Sequence, residues 1–485
     1  MTQPGPEPTP WLDRARALQA GDRHAEAASA WEAHLQSHPG DAPAWVQLGI
    51  ARCRLDQLAE SEAALRKALA LDPRLADAWV NLGITLGRLD RFGEAIQAFQ
   101  EGLRWDPTDL HARLALAECL MVSRRFEEGT ESLEAALRLD PTCAVAHRRL
   151  VNLHTALRHP AQVIACFDRW IAMEPGNPEL RWNRGLAHLL YGHFREGWED
   201  IESRFQLTTQ RMSLMEPFAQ PRWTGEPFPG KTLLLHHEQG FGDTIMLIRF
   251  AALAKARGGR VVAVVSPNLV DLIATCDGLD EVLPHGAPLP DFQVHLPLMS
   301  LPRVFHVEEE TIPARVPYLD VPARVPSRAA LEQVLALPAR PVRIGFTWFG
   351  NATHIMDHIR SMPPEHLAPL GQLPGVTWYC FQRPAPESLP LPAVPISALF
   401  QNFSDTAFAL RAMDLVITVD TAVAHLAGAL GIPTFLMLPW ESEWRWQLDR
   451  TDSPWYPTFR LYRQPAEGDW GAVIRDILRD LTEPA

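Results

Sequence analysis

Cysteine is scarce in this 485-residue chain. Cys53, Cys119, Cys143, Cys166, Cys276 and Cys380 lie far apart and form no Cys-x-x-Cys pair. That fits reduced thiols in a reducing compartment better than a disulfide or zinc framework. Basic residues are outnumbered, 45 Lys and Arg against 58 Asp and Glu, for a formal net charge of −13. Such a surface repels phosphate backbones, so no nucleic-acid partner is expected. Long apolar runs are missing too. The most apolar stretch, Leu415 to Trp440, is broken by Asp420, His425 and Pro433. It reads as strand, loop, helix and strand in a buried sheet, and no membrane span is expected. Met1 to Pro8 has neither a basic nor an apolar region of a secretory signal, so a cytoplasmic location is expected. No Gly-x-Ser-x-Gly nucleophile elbow occurs, which argues against hydrolase chemistry of that type. What remains is 47% hydrophobic and 21% charged, enough for about three soluble domains.

The first two hundred residues keep a clock. Pro39, Pro73, Pro107, Pro141 and Pro175 are each 34 residues apart. The same phase aligns Trp11, Trp45 and Trp79, then Gly49, Gly83 and Gly185, then Trp31, Leu65, Phe99, Leu133 and Phe167. Apolar residues between the prolines recur at helical spacing. Small residues let two antiparallel helices approach, and the proline stops the second one. One hairpin cannot bury its apolar face alone, so stacking is required. The spacing resembles the tetratricopeptide repeat and predicts an all-α solenoid over residues 1–205, with five repeats and a degenerate sixth over Pro178–Phe205. Its groove would take a protein or peptide partner.

Residues 206–231 turn to Met, Pro, Gly and Trp without periodicity and read as a linker packed by aromatics. Beyond them, short apolar runs alternate with helical segments. Strands are expected at Thr232–His236, Arg260–Val265, Glu281–Leu283, Phe292–Leu296, Val342–Trp348, Thr377–Phe381, Leu415–Val419 and Thr434–Leu438, with helices between them and one at Trp470–Leu481. That alternation predicts two doubly wound α/β halves, 232–325 and 342–485, joined by a Pro-rich linker at 326–341. The ligand cleft would lie between the carboxyl ends of their strands.

Four segments could carry chemistry. In Glu238-Gln-Gly-Phe-Gly-Asp-Thr, Gly240 and Gly242 permit a tight turn. Asp243 is either an N-cap or a general base facing the cleft, and one carboxylate can do both. In the segment from Val416 to Pro433, a strand ends at Asp420. The next helix presents the N–H groups of Thr421, Ala422 and Val423 to a diphosphate. Asp420 may occupy those donors itself, and His425 is either a core histidine or a ligand contact. In Phe346–Met362, His354, Asp357 and His358 have metal-ligand spacing, but Gly350 and Asn351 favour a loop. No metal is expected. Arg360 and Ser361 would neutralise a phosphate or simply face solvent. Finally, the aromatic loop Pro439–Trp446 and its continuation to Pro457 would wall a sugar or base pocket or pack upon itself.

Together, residues 223–465 resemble the glycosyltransferase family 9 type, the heptosyltransferase-like enzymes of the GT-B fold. The whole chain is similar to bacterial proteins that fuse tetratricopeptide repeats to such a domain. The motifs are Gln239-Gly-Phe-Gly-Asp-Thr, Asp420-Thr-Ala-Val-Ala-His-Leu-Ala-Gly, Trp444-Arg-Trp and Asp452-Ser-Pro-Trp-Tyr-Pro. The resemblance implies two Rossmann-like halves facing a cleft and inverting, metal-independent transfer from a nucleotide-sugar co-substrate, with no other cofactor. Asp243 would be the base. Gly240, Gly242, Asn351, His354, Arg360, Ser361, Gln382, Asp420, Thr421, Ala422, Val423 and His425 would bind the donor. Trp348, Trp440, Trp444 and Arg445 would wall its pocket. Similar fused enzymes point to flagellin or another cytoplasmic protein as acceptor. Here Ile355 and Met356 follow His354 where those relatives carry a lysine and other polar residues, which leaves Arg360 the loop's only permanent cation. A noncatalytic scaffold with a degenerate domain, or a transferase acting on lipopolysaccharide or a lipid-linked sugar, remains the alternative.

Overall fold

The 34-residue clock is marked by one recurring hydrogen bond. In a computed structural model describing residues 18, 23–207, 218–238, 240–336, 341–350 and 357–483, the side chain at one repeat position bonds the carbonyl of the proline six residues before it. Trp45 Nε1 donates to Pro39 O and Trp79 Nε1 to Pro73 O, both at 3.0 Å. Arg113 Nη2 donates to Pro107 O at 2.7 Å, and His147 Nε2 lies 2.9 Å from Pro141 O. The bond fixes the turn that the proline opens, whichever donor stands there. Trp11 lies outside the described residues.

The chain divides into two units, Met1–Gly176 and Asn177–Ala485. In the first, helix pairs follow one another: Ala42–Arg54 with Leu58–Leu71, Ala76–Arg88 with Phe92–Trp105, Leu110–Val122 with Phe126–Leu139, and Ala144–Ala156 with Pro160–Met173, preceded by His24–Ser37. The aligned Trp31, Leu65, Phe99, Leu133 and Phe167 are all buried. A Cβ on Gly83 would stand 2.8 Å from the Phe99 ring, so the small residue is what lets the pair close. Each hairpin turn also holds one left-handed residue in the same phase: Asp56, Asp90, Arg124 and Arg158, with φ of 62°, 58°, 57° and 54°.

The second unit begins earlier than residue 206. The degenerate sixth repeat, helices Pro178–Leu190 and Phe194–Asp200 with the 3₁₀ turn Ile201–Gln206, belongs to it. Leu189, Phe194, Trp198 and Ile201 join one apolar core with both α/β halves. Trp198 Nε1 donates to Val307 O at 3.1 Å, and its ring packs edge-on against Trp444 and Trp455. The periodicity reports the hairpin, whereas its bulky outer face reports what it packs against.

Two parallel sheets follow. The first has strand order β3-β2-β1-β4, with β1 Thr232–His236, β2 Arg260–Val265, β3 Glu281–Pro284 and β4 Val294–Pro297. The second has order β10-β9-β8-β5-β6-β7: β5 Val342–Phe346, β6 Val376–Cys380, β7 Ala393–Val394, β8 Leu415–Val419, β9 Thr434–Leu438 and β10 Phe459–Arg463. In the stretch joining repeats and sheets, Trp223 and Phe228 are buried, as aromatic packing requires. The stretch 326–341 is not only a linker, because it holds helix Arg328–Leu335 with Leu331 fully buried. Among the described residues no helix is long and apolar enough to cross a membrane.

Candidate active site

The carboxyl end of β1 leads into helix Phe241–Leu247, which packs on helix Ala422–Ala429 from the second half. Gly242 makes the contact possible, since a Cβ there would stand 2.6 Å from His425 Cδ2. Arg249, buried just beyond this helix, donates to Met246 O, to Trp455 O of the second half and to the Tyr318 hydroxyl. The seam between the halves is thus closed by backbone approach and by a buried guanidinium.

Asp243 is the third residue of its helix and not the N-cap. Its Oδ2 accepts the Gly240 N–H at 3.1 Å, tying down the first turn. Its Oδ1 is ion-paired with Arg445 Nη2, and Arg445 Nη1 is paired with Glu443. Arg445 was expected in a pocket wall. It is instead 6% exposed, in the 3₁₀ turn Trp444–Trp446, and bridges residues far apart in sequence.

Asp420 directly follows β8 and is buried. Burial first, then the Glu443 charge, pushes its carboxyl up to about 6, with Arg445 opposing. The helix after it has Thr421 as N-cap, and among the described residues no side chain caps it. The amino end, with Ala422 and Val423 in its first turn, therefore keeps its backbone donors for other partners. His425 is the packed histidine of the two readings. Its Nδ1 lies 3.0 Å from the Tyr456 hydroxyl, its ring stacks on Trp446, and its Nε2 is 3.8 Å from Asp420. Burial, followed by the charges of Arg445, Arg249 and Arg360, holds it neutral well below the usual histidine range.

Other expected donor contacts are occupied differently. Gln382 Oε1 accepts the N–H groups of Trp348 and Phe349, both at 3.1 Å, and its Nε2 donates to Phe349 O and Arg383 O. It braces the end of β5 with its whole side chain and has no capacity left for a donor. Arg360 Nε donates to Asp357, whose other oxygen accepts from Ser361 Oγ, while Ser361 Oγ accepts the Gly350 N–H. Asp357 is thus spent on Arg360 and Ser361. Asn351 and His354 lie outside the described residues. Trp348, Ser361 and Pro386–Pro390 border an open cavity of about 670 Å³. Trp444 packs on Trp198 and Trp455, and the Trp440 N–H donates to Gln464.

One cluster escaped sequence reasoning. Arg204, 2% exposed, makes paired bonds of 3.0 and 2.9 Å to Glu238 and also reaches Glu202 and Ser300. Glu238 opens the glycine segment, but nothing in the sequence ties it to a helical hairpin 34 residues earlier. Beside it His236 Nε2 meets His295 Nδ1 at 3.1 Å. Burial and the neighbouring His295 and His237 press His236 down to about 3.

Family models of the tetratricopeptide repeat match residues 12–76, 64–97 and 88–131. The repeats are tetratricopeptide repeats. A curated relative, Protein FlbA of Caulobacter vibrioides (strain ATCC 19089 / CIP 103742 / CB 15), is 27% identical over 361 residues, 64% of this chain and 56% of that protein. The chain thus spans little more than half the length of the relative it matches. Among solved structures, MamA has a TM-score of 0.32 at 17% identity, covering 33% of this chain and 94% of its own. YrrB, described as a TPR protein with an unusual peptide-binding site, has 0.31 at 20%, covering 36% and 89%. PilW, a type IV pilus biogenesis factor, has 0.33 at 21%, covering 41% and 94%.

The tetratricopeptide repeats expose a ladder. Leu71, Trp105, Leu139 and Met173 share one repeat position and are 43%, 42%, 41% and 47% exposed. A cavity of about 330 Å³ opens beside Trp79, Leu82 and Leu86, rimmed by Arg66, Glu94 and Glu101. Apolar contacts ringed by charge suit a protein surface.

Proposed function

We propose that the chain is a cytoplasmic glycosyltransferase of the GT-B type, moving a sugar from a nucleotide-sugar donor to a hydroxyl of a protein recruited by the repeats. Flagellin is among the candidate acceptors. The observation carrying this reading is the meeting of Asp243, Arg445 and Asp420 at the seam of the two parallel halves, beside the uncapped amino end of the Ala422–Ala429 helix. Carboxyl ends of parallel strands are where such sheets bind ligands. Asp243 uses two of its roughly four lone-pair positions on Gly240 and Arg445, so others remain to take a proton. In the step, the acceptor O–H gives its proton to Asp243 and the oxygen attacks the anomeric carbon. The bond from that carbon to the diphosphate oxygen breaks, and its electron pair leaves on the diphosphate with inversion. Helix N–H groups and the Arg445 charge stabilise that departing group.

A noncatalytic scaffold is favoured by one specific feature: Arg445 and Arg360 are both already paired with carboxylates. Incubating the full chain with UDP-, GDP-, ADP- and CMP-sugars separates the readings through thermal shift and sugar release. Enzyme activity requires a shift with at least one donor. It also requires Asp243→Asn to show a shift at least as large while turnover falls by about 100-fold or more. No shift with any donor leaves the scaffold. Transfer to a lipid-linked sugar, with none to protein, replaces the acceptor class.

A further inference from the structure

Arg445 is held unusually firmly for a residue in a loop. Its neighbours anchor the turn on both sides: Trp444 against Trp198 and Trp455, and Trp446, fully buried, against His425 and Phe459. The backbone is therefore fixed, and the freedom left is that of the guanidinium. Two of its nitrogens serve Asp243 and Glu443, while the buried Nε has no hydrogen-bond partner among the described residues. A guanidinium is a planar fork of five donors, and an unpaired donor on a buried cation is costly. Asp420, whose carboxyl also feels this charge, directly precedes the uncapped helix.

We propose that Arg445 binds the diphosphate of the donor and that Asp243 and the diphosphate compete for it. The inference rests on the nucleotide-sugar reading above and adds an order to it. Without donor, the guanidinium is shared between Asp243 and Glu443. A diphosphate seated at the Ala422–Ala429 helix offers several oxygens and more than one negative charge, which a planar fork recognises better than a single carboxylate. Arg445 turns to the diphosphate, keeps Glu443 as its second partner, and frees Asp243 Oδ1 for the acceptor hydroxyl. The donor thus binds first and unmasks the base. Arg445 touches the donor, whereas its effect on Asp243 is one of positioning.

The test needs no acceptor and no turnover. Affinities of UDP, GDP, ADP and inorganic pyrophosphate are measured by calorimetry on the full chain and its variants. Arg445→Gln should weaken the nucleotide that binds by about tenfold or more, and Arg445→Lys, which keeps the charge but not the fork, by less. Asp243→Asn, which removes the competitor, should tighten it several-fold. In the Arg445→Gln background, Asp243→Asn should add nothing, because the competition has gone. Circular dichroism checks that each variant is folded, and Arg445→Lys carries the comparison if Arg445→Gln is not. An Asp243→Asn variant that binds no tighter, or tightens equally without Arg445, overturns the shared arginine while leaving the nucleotide site standing. Wild-type protein that binds none of the four overturns both.

Discussion

The hairpins Ala144–Met173 and Pro178–Gln206 obey the same 34-residue rule and differ in what their second helix covers. In the first, Val163, Cys166 and Phe167 are buried among the repeats, while Gln162, Asp168 and Arg169 face water. In the second, the helix breaks into a 3₁₀ turn after Asp200 and buries Phe194, Trp198, Ile201 and Arg204. Trp198 stands where Ile164 stands one repeat earlier, and Arg204 where Trp170 stands. A repeat pattern specifies how two helices close on each other. Membership of a domain is decided by the residues that pattern leaves free.

That comparison can be broken most directly at Trp198. Trp198→Ala should destabilise the second unit by about 3–5 kcal/mol, whereas Ile164→Ala, only half-buried, should cost the repeats about 1 kcal/mol. Hydrogen exchange read by mass spectrometry assigns each loss to its unit. A large loss of protection in the repeats from Trp198→Ala would return the sixth hairpin to the solenoid. Acid sharpens the contrast. His236 titrates near 3 in the folded second unit and near 6.5 unfolded, so the unfolded chain binds the proton first. Its contribution is present above pH 6.5 and is lost as pH falls towards 3. Between pH 7 and pH 5 this amounts to about 2 kcal/mol, which His236→Gln should remove from the pH dependence of urea unfolding. The smallest effect concerns the turns. Arg124 and Arg158 hold the left-handed position that Gly192 holds in the last hairpin. Arg124→Gly should therefore stabilise the repeats by about 0.5–1 kcal/mol and Gly192→Ala should destabilise the second unit by about 1 kcal/mol, both read by thermal unfolding.

Strands β1, β2, β8 and β9 stand where their apolar runs predict, because buried parallel strands read as continuous Val, Ile and Leu. Strand β10 was missed. Phe459-Arg-Leu-Tyr-Arg lies at the sheet edge, where arginines alternate with apolar residues and the stretch looks like more of the aromatic loop. Helix Phe403–Leu410 was missed as well: it is short, and its cap comes from Asn402 rather than from an apolar period. At the site, Asp243 and Asp420 were visible because each follows a strand and opens a helix. The ion pair between Asp243 and Arg445 could not be read, since Arg445 lies 202 residues beyond Asp243 and only folding brings the two together. Gln382 and Trp444 show the converse. Their residue types suit a ligand, but their hydrogen bonds and packing are consumed by the protein itself.

In the proposed function, residues 177–485 hold the chemistry and the tetratricopeptide repeats supply the acceptor. Donor hydrolysis and transfer to protein, measured side by side for the whole chain and for a chain beginning at Asn177, test it most directly. The proposed function requires equal donor hydrolysis, with transfer to protein collapsing once the repeats no longer hold the acceptor at an effective concentration on the order of millimolar. Transfer to protein that is as fast without the repeats, or donor consumed by neither chain, would contradict it.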